Sequence, residues 1–165
     1  MTNATICFIR CTATSRVLLG LKKRGFGRGK LNGFGGKIQS RETPEEATVR
    51  EVEEECGVIV NPCDLRPAGM LTFVFPSEPG FDHHVRVFTT DAWRGEPGET
   101  AEMAPSWFPI DRLPFDRMWA DDSHWLPLVL SGRRIDAAFT FAPDNENLIA
   151  WRIRTADQRV DGAPA

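Results

Sequence analysis

Between Glu42 and Glu55 the chain carries seven glutamates and a single arginine, Arg50. On a helix turning about 100° per residue, Glu55 lies about 40° to one side of Glu51 and Glu54 about 60° to the other, so three carboxylates share one arc. Val49, Val52 and Cys56 follow directly beyond Glu55, and the acidic arc therefore borders the buried stripe instead of opposing it. A solvated face is the plain alternative for such a run. Like charges three and four residues apart repel even in water, however, and repel more as they lose hydration, so this placement calls for a cation. Carboxylate oxygens suit a hard divalent ion, magnesium or with similar chemistry manganese, whose remaining coordination is completed by water and phosphate oxygens. Glu51, Glu54 and Glu55 are the candidate metal ligands. Arg50, four residues from both Glu46 and Glu54, is the candidate orienting group.

The elements that must carry these groups are legible in the same way. Thr43, Pro44 and Glu46 make a capping box with proline at the first helical position, and Gly57 follows the last turn, which bounds a helix over 44–56. Short β-branched and apolar runs predict strands at 5–9, 16–21, 70–75, 85–90, 107–110, 137–141 and 149–154. The first two read as a hairpin or adjacent strands, and the last two flank a turn of Pro, Asp, Asn, Glu and Asn. A second helix over Trp125–Leu130 starts from Asp122 or Ser123. Residues 22–36 hold six glycines among five cations, the composition of a loop whose backbone approaches something closely. It does not lead from a strand into a helix and is no P-loop.

Charge narrows the partner. Residues 1–41 hold nine Lys or Arg and no acid, leaving eleven basic and twenty-three acidic residues in 42–165; +9 and −12 make the net −3. A basic lip beside an acidic pocket suits a small polyphosphate with metal ions better than a nucleic-acid polymer. At 165 residues the chain is one domain, residues 1–160, with a small polar tail from Asp161 expected to fray. Without an apolar run of about eighteen residues it has no membrane span, and without a basic leader it reads as cytoplasmic. Cys7, Cys11, Cys56 and Cys63 lack zinc-ligand spacing and read as buried reduced thiols.

Gly36, five residues, Glu42, seven residues, then Arg50-Glu51-Val52-Glu53-Glu54-Glu55-Cys56-Gly57-Val58 resembles the Nudix box at every defined position. The resemblance implies an α/β fold, an α/β/α sandwich with a mixed sheet and a loop-helix-loop metal site. It also implies Mg²⁺-dependent hydrolysis of a nucleoside diphosphate linked to another group, with Gly36, Glu51, Glu54 and Glu55 at the metal. Segments 17–37 (VLLGLKKRGFGRGKLNGFGGK) and 105–130 are further similar to the animal-type oxidised purine nucleoside triphosphatases, which convert 8-oxo-dGTP, 2-hydroxy-dATP and related nucleotides to monophosphate and pyrophosphate. That likeness implies a base pocket of Asn32, Trp119, Asp121 and Asp122, and Glu102 as an extra acid at the metals. Phe26, Phe73 and Cys7 are further pocket residues, Cys7 standing where relatives place a hydroxyl. Lys23, just ahead of Gly25 and Gly27, is the candidate triphosphate contact. The chemistry agrees with these assignments: an indole is a flat stacking partner for a purine, and an amide and carboxylates match its Watson–Crick edge. Leu31 and Ala120 depart from the usual Trp and Pro of the relatives. The expected working form is a monomer acting on free nucleotides. Other Nudix substrates, a dinucleotide or ADP-ribose, and a non-catalytic nucleotide-binding module are the alternative readings.

Overall fold

The computed structural model describes residues 1–163. A mixed sheet runs through it in the order β3-β2-β1-β5-β4-β7-β8-β9, from β1 (Thr2–Cys11), β2 (Arg16–Lys22), β3 (Leu31–Asn32), β4 (Arg66–Val74), β5 (His83–Thr90), β7 (Ile135–Phe141), β8 (Leu148–Arg154) and β9 (Arg159–Gly162). β6 (Met103–Pro109) pairs with β2 off this path. β1–β5 and β4–β7 are the parallel pairs, and all others are antiparallel. The expected opening hairpin is brief: β1 and β2 share only the pairs from Ile9↔Leu18 to Cys11↔Arg16. β1 then runs alongside β5, and β2 alongside β6.

Alternation along β1 divides the core into two layers. Ala4, Ile6 and Phe8 pack with Leu71, Phe139 and Trp125 on the side of α2 (Asp122–Leu130). Cys7 and Ile9 pack with Val52, Val58 and Cys56 on the side of α1 (Pro44–Cys56). Helices on both faces of a mixed sheet make an α/β/α sandwich. α1 has the ends expected of it: Thr43 Oγ1 accepts from Glu46 N at 3.1 Å, Glu46 Oε2 accepts from Thr43 N at 2.8 Å, and Gly57 closes the helix at φ +76°.

Two expectations need correction. Asp161 and Gly162 belong to β9, paired with Arg152 and Trp151, because the backbone of β8 offers a free edge that the tail completes. Pro164 and Ala165 lie outside the described residues. Of the four cysteines only Cys7 and Cys56 are buried; Cys11 is partly exposed and Cys63 exposed, and all four are free thiols. No helix among the described residues is long and apolar enough to cross a membrane.

Candidate active site

A cavity of about 210 Å³ opens at the ends of β1, β2 and β4 and is lined by residues from both halves of the sequence. One end is acidic. Glu55, on the last turn of α1, is 3% exposed, and its Oε2 accepts the Gly35 N–H at 3.0 Å. Burial pushes its carboxyl up to about 7, the Gly35 N–H and Lys22 oppose the rise, and Glu51 and Glu102 add repulsion. Three carboxylates therefore act on one another here. Arg50 gathers the neighbouring acids: it chelates Glu42 through Nε at 2.6 Å and Nη2 at 3.0 Å, and its Nη1 reaches Glu51 Oε1 at 2.8 Å and Glu54 Oε2 at 3.2 Å. The hydrogen bond from Arg50 holds the Glu42 carboxyl below the usual range. Glu102, beside the loop after β2, is paired with Arg24, which likewise holds its carboxyl low.

The glycines explain how the backbone comes so near. A Cβ on Gly35 would lie 2.0 Å from Thr5 O, and one on Gly36 would lie 2.5 Å from Glu51 Oε1. Only glycine lets segment 33–36 run against both β1 and the Glu51 carboxylate. The donor set, all carboxylate and carbonyl oxygen, fits a hard divalent cation. Among the described residues the acids do not stand as a preassembled cluster of three ligands, since the arginines hold Glu51, Glu54 and Glu102.

The other end is lined by aromatic rings, an amide and two carboxylates. Asn32 on β3, Trp119 ahead of α2, Asp121, Asp122, Phe73 and Phe26 all line the cavity. Asn32 Oδ1 accepts the Gly33 N–H at 2.9 Å, which leaves its amide nitrogen to donate. Asp121 and Asp122 are each 2% exposed. Asp121 Oδ2 accepts Trp125 Nε1–H at 2.7 Å, and Asp122 Oδ2 accepts Trp119 N–H at 3.0 Å. Burial raises Asp121 to about 6; burial and then the Asp121 charge drive Asp122 well above the usual carboxylate range. The pair thus retains a proton near neutral pH. Neither side chain is bonded as the N-cap of α2. Phe26 sits on a loop where Gly25, Gly27 and Gly29 all have positive φ, and its ring stacks on Trp119 at 5.0 Å.

Two predicted pocket residues lie elsewhere. Cys7 is fully buried in the α1-side layer, on the face of β1 opposite to Ile6 and two residues further along the strand than Thr5, where Val52 and Cys56 pack over it. Ile6 and Thr5 line the cavity instead, the Thr5 hydroxyl being buried without a hydrogen-bond partner. Lys23 turns away to Glu99 at 2.6 Å and Thr100 O at 2.7 Å, while Lys22, one residue earlier, lines the cavity. Strand parity again decides, and β2 continues through Lys22 where the sequence reading ended it at Leu21. Lys30 was not singled out by sequence; it lies over the Trp119 ring, 4.8 Å from its centroid.

Comparison with known proteins identifies the family of this chain. The NUDIX domain family model matches residues 1–129. The chain is 46% identical over 140 residues to a zebrafish (Danio rerio) protein named oxidized purine nucleoside triphosphate hydrolase, covering 85% of this chain and 88% of that one. It is 42% identical over 142 residues to the mouse (Mus musculus) protein of the same name, covering 86% and 88%. Among solved structures, a MutT protein from Bacillus halodurans superposes with a TM-score of 0.80 at 25% identity, covering 93% of this chain and 97% of that one. A MutT NUDIX hydrolase from Burkholderia pseudomallei gives 0.66 at 25% identity, over 79% and 95%. With the box glutamates on the last turns of α1 and the glycine backbone pressed against them, the chain belongs to the NUDIX family and is a Nudix hydrolase.

Proposed function

We propose that this chain hydrolyses oxidised purine nucleoside triphosphates with one water to a nucleoside monophosphate and pyrophosphate, as a monomer dependent on Mg²⁺ or Mn²⁺. The observation that carries this reading is the single cavity joining a buried Asp pair, Asn32 and Trp119 at one end to Glu55, Gly36 and Lys22 at the other. An oxidised guanine presents N–H donors at N1 and N2 and an acceptor at O6. Two ionised carboxylates would answer only donors. The proton kept by the Asp121–Asp122 pair, with the Asn32 amide, supplies the donor that O6 requires. Lys22 then meets the phosphate chain.

Glu51, Glu54, Glu55 and Glu102, with the Gly36 carbonyl, are the residues that would hold the cations, Arg50 keeping Glu51 and Glu54 in place. Divalent ions held there would supply charge neutralisation of the triphosphate and a lowered pKa for a water bound to them. Glu55, whose carboxyl titrates at about 7, or Glu51 beside it, accepts the proton of the attacking water. The test is kcat/KM with Mg²⁺ for 8-oxo-dGTP, 2-hydroxy-dATP, dGTP, dATP and ADP-ribose. The oxidised purines are expected to lead by at least about tenfold, the equivalent of about 1.4 kcal/mol. Equal rates on all five would remove the oxidised-purine assignment and leave a general Nudix hydrolase.

A further inference from the structure

A second cavity, about 680 Å³ and sharing no residue with the first, opens on the sheet face away from α2, walled on one side by the first turn of α1. Strand register places Arg86 on β5, Met70 on β4, Asp136 on β7 and Arg154 on β8 in one cross-strand row. Arg134, two residues before Asp136, shares that face and also lines the cavity. Among the described residues none of the three arginines forms an ion pair, although Asp136 and Glu45 line the same groove.

We propose that this groove is a second ligand site, taking a nucleoside diphosphate or triphosphate. Guanidinium groups in a groove recognise phosphate oxygens through paired N–H donors. At about 4.8 Å per strand, the Arg86 and Arg154 backbones stand about 14 Å apart, a span longer than one inorganic phosphate. Between them Pro67 and Met70 present an apolar floor suited to a base or sugar. The carboxylates of Asp136 and Glu45 accept hydrogen bonds from ribose hydroxyls or base N–H groups. The volume lies within the usual range for small-molecule sites. None of this depends on the function assigned to the first cavity.

The test is calorimetric titration of the full-length protein with ADP in EDTA, where the carboxylates of the first cavity are uncompensated. Parallel titrations use inorganic pyrophosphate and a ten-nucleotide oligo-dT. ADP is expected to bind the wild type, at least tenfold more weakly the Arg134→Ala/Arg154→Ala variant, and unchanged the Trp119→Ala variant. The double variant is expected to keep its melting temperature and, within twofold, its kcat/KM for 8-oxo-dGTP. Absence of ADP binding, indifference to the arginine substitutions, or loss with Trp119→Ala would overturn the proposal. So would pyrophosphate binding as tightly as ADP, which would make the groove a bare anion site, or tighter oligo-dT binding, which would make it a strand-binding surface.

Discussion

Asp121→Asn should stabilise this protein at neutral pH while altering what it hydrolyses. The Asp121 carboxyl is 2% exposed, and burial lifts it from an ordinary 3.8 to about 6. An acid with a raised folded-state pKa contributes stability that is present in full below its unfolded pKa and lost as pH rises through the folded one. Across the window from about pH 4 to about pH 6 that loss amounts to up to about 3 kcal/mol. An asparagine oxygen still accepts the Trp125 indole N–H, so the substitution removes the charge and keeps the bond. The variant should match wild type near pH 3, below the unfolded pKa, and exceed it by up to about 3 kcal/mol at pH 7.5, worth roughly 6–12 °C in Tm for a chain this size. Urea denaturation of both proteins at the two pH values is the assay. Glu55 titrates in both and cancels from the difference, while Asp122, freed of the Asp121 charge, is less destabilised in the variant and shifts the difference in the same direction. A stabilisation of the same size at both pH values, or a loss at pH 7.5, would refute the view that a buried ionised Asp121 is held here against its solvation cost.

Base preference follows from the same pair: Asp121→Asn and Asp122→Asn should move the 8-oxo-dGTP to 2-hydroxy-dATP ratio of kcat/KM in opposite senses, by ~1–3 kcal/mol where a donor is left facing a donor, and an unchanged ratio in both would exclude the pair from the pocket. Glu54→Gln should lower turnover by about 10²-fold or more, yet leave Tm nearly level, because its exposed i,i+4 pair with Arg50 is worth about 0.3–0.5 kcal/mol. Lys22→Met should raise KM for a triphosphate at least about tenfold and Lys23→Met far less, since steady-state assays would then report the cavity lining found here. Thr5→Val should raise stability by about 1 kcal/mol in thermal denaturation, as it replaces a buried hydroxyl without a partner by an isosteric methyl.

Sequence alone determined α1 and its chemistry. Capping, proline position, glycine stop and the glutamate arc are local properties set by a spacing of about 3.6 residues per turn, and tertiary packing had only to choose the partner layer. The glycine-rich segment was likewise legible as a place of close approach, and the structure identifies what it approaches: Thr5 O and the Glu51 carboxylate. Parity was not legible. A strand displaced by one residue presents the opposite side chains, so Ile6 and Lys22 line the cavity where Cys7 and Lys23 were expected, while Thr5, on the same face as Cys7, differs from it by position along β1 and not by parity. Asp121 and Asp122 are adjacent in the sequence, but the proton they share depends on both carboxylates being buried, which brings desolvation that no spacing rule measures. Arg50 shows the same division. Its four-residue relation to Glu54 is read from the sequence, whereas its chelation of Glu42, eight residues away across the turn into α1, exists only once segment 37–43 has folded back over the helix.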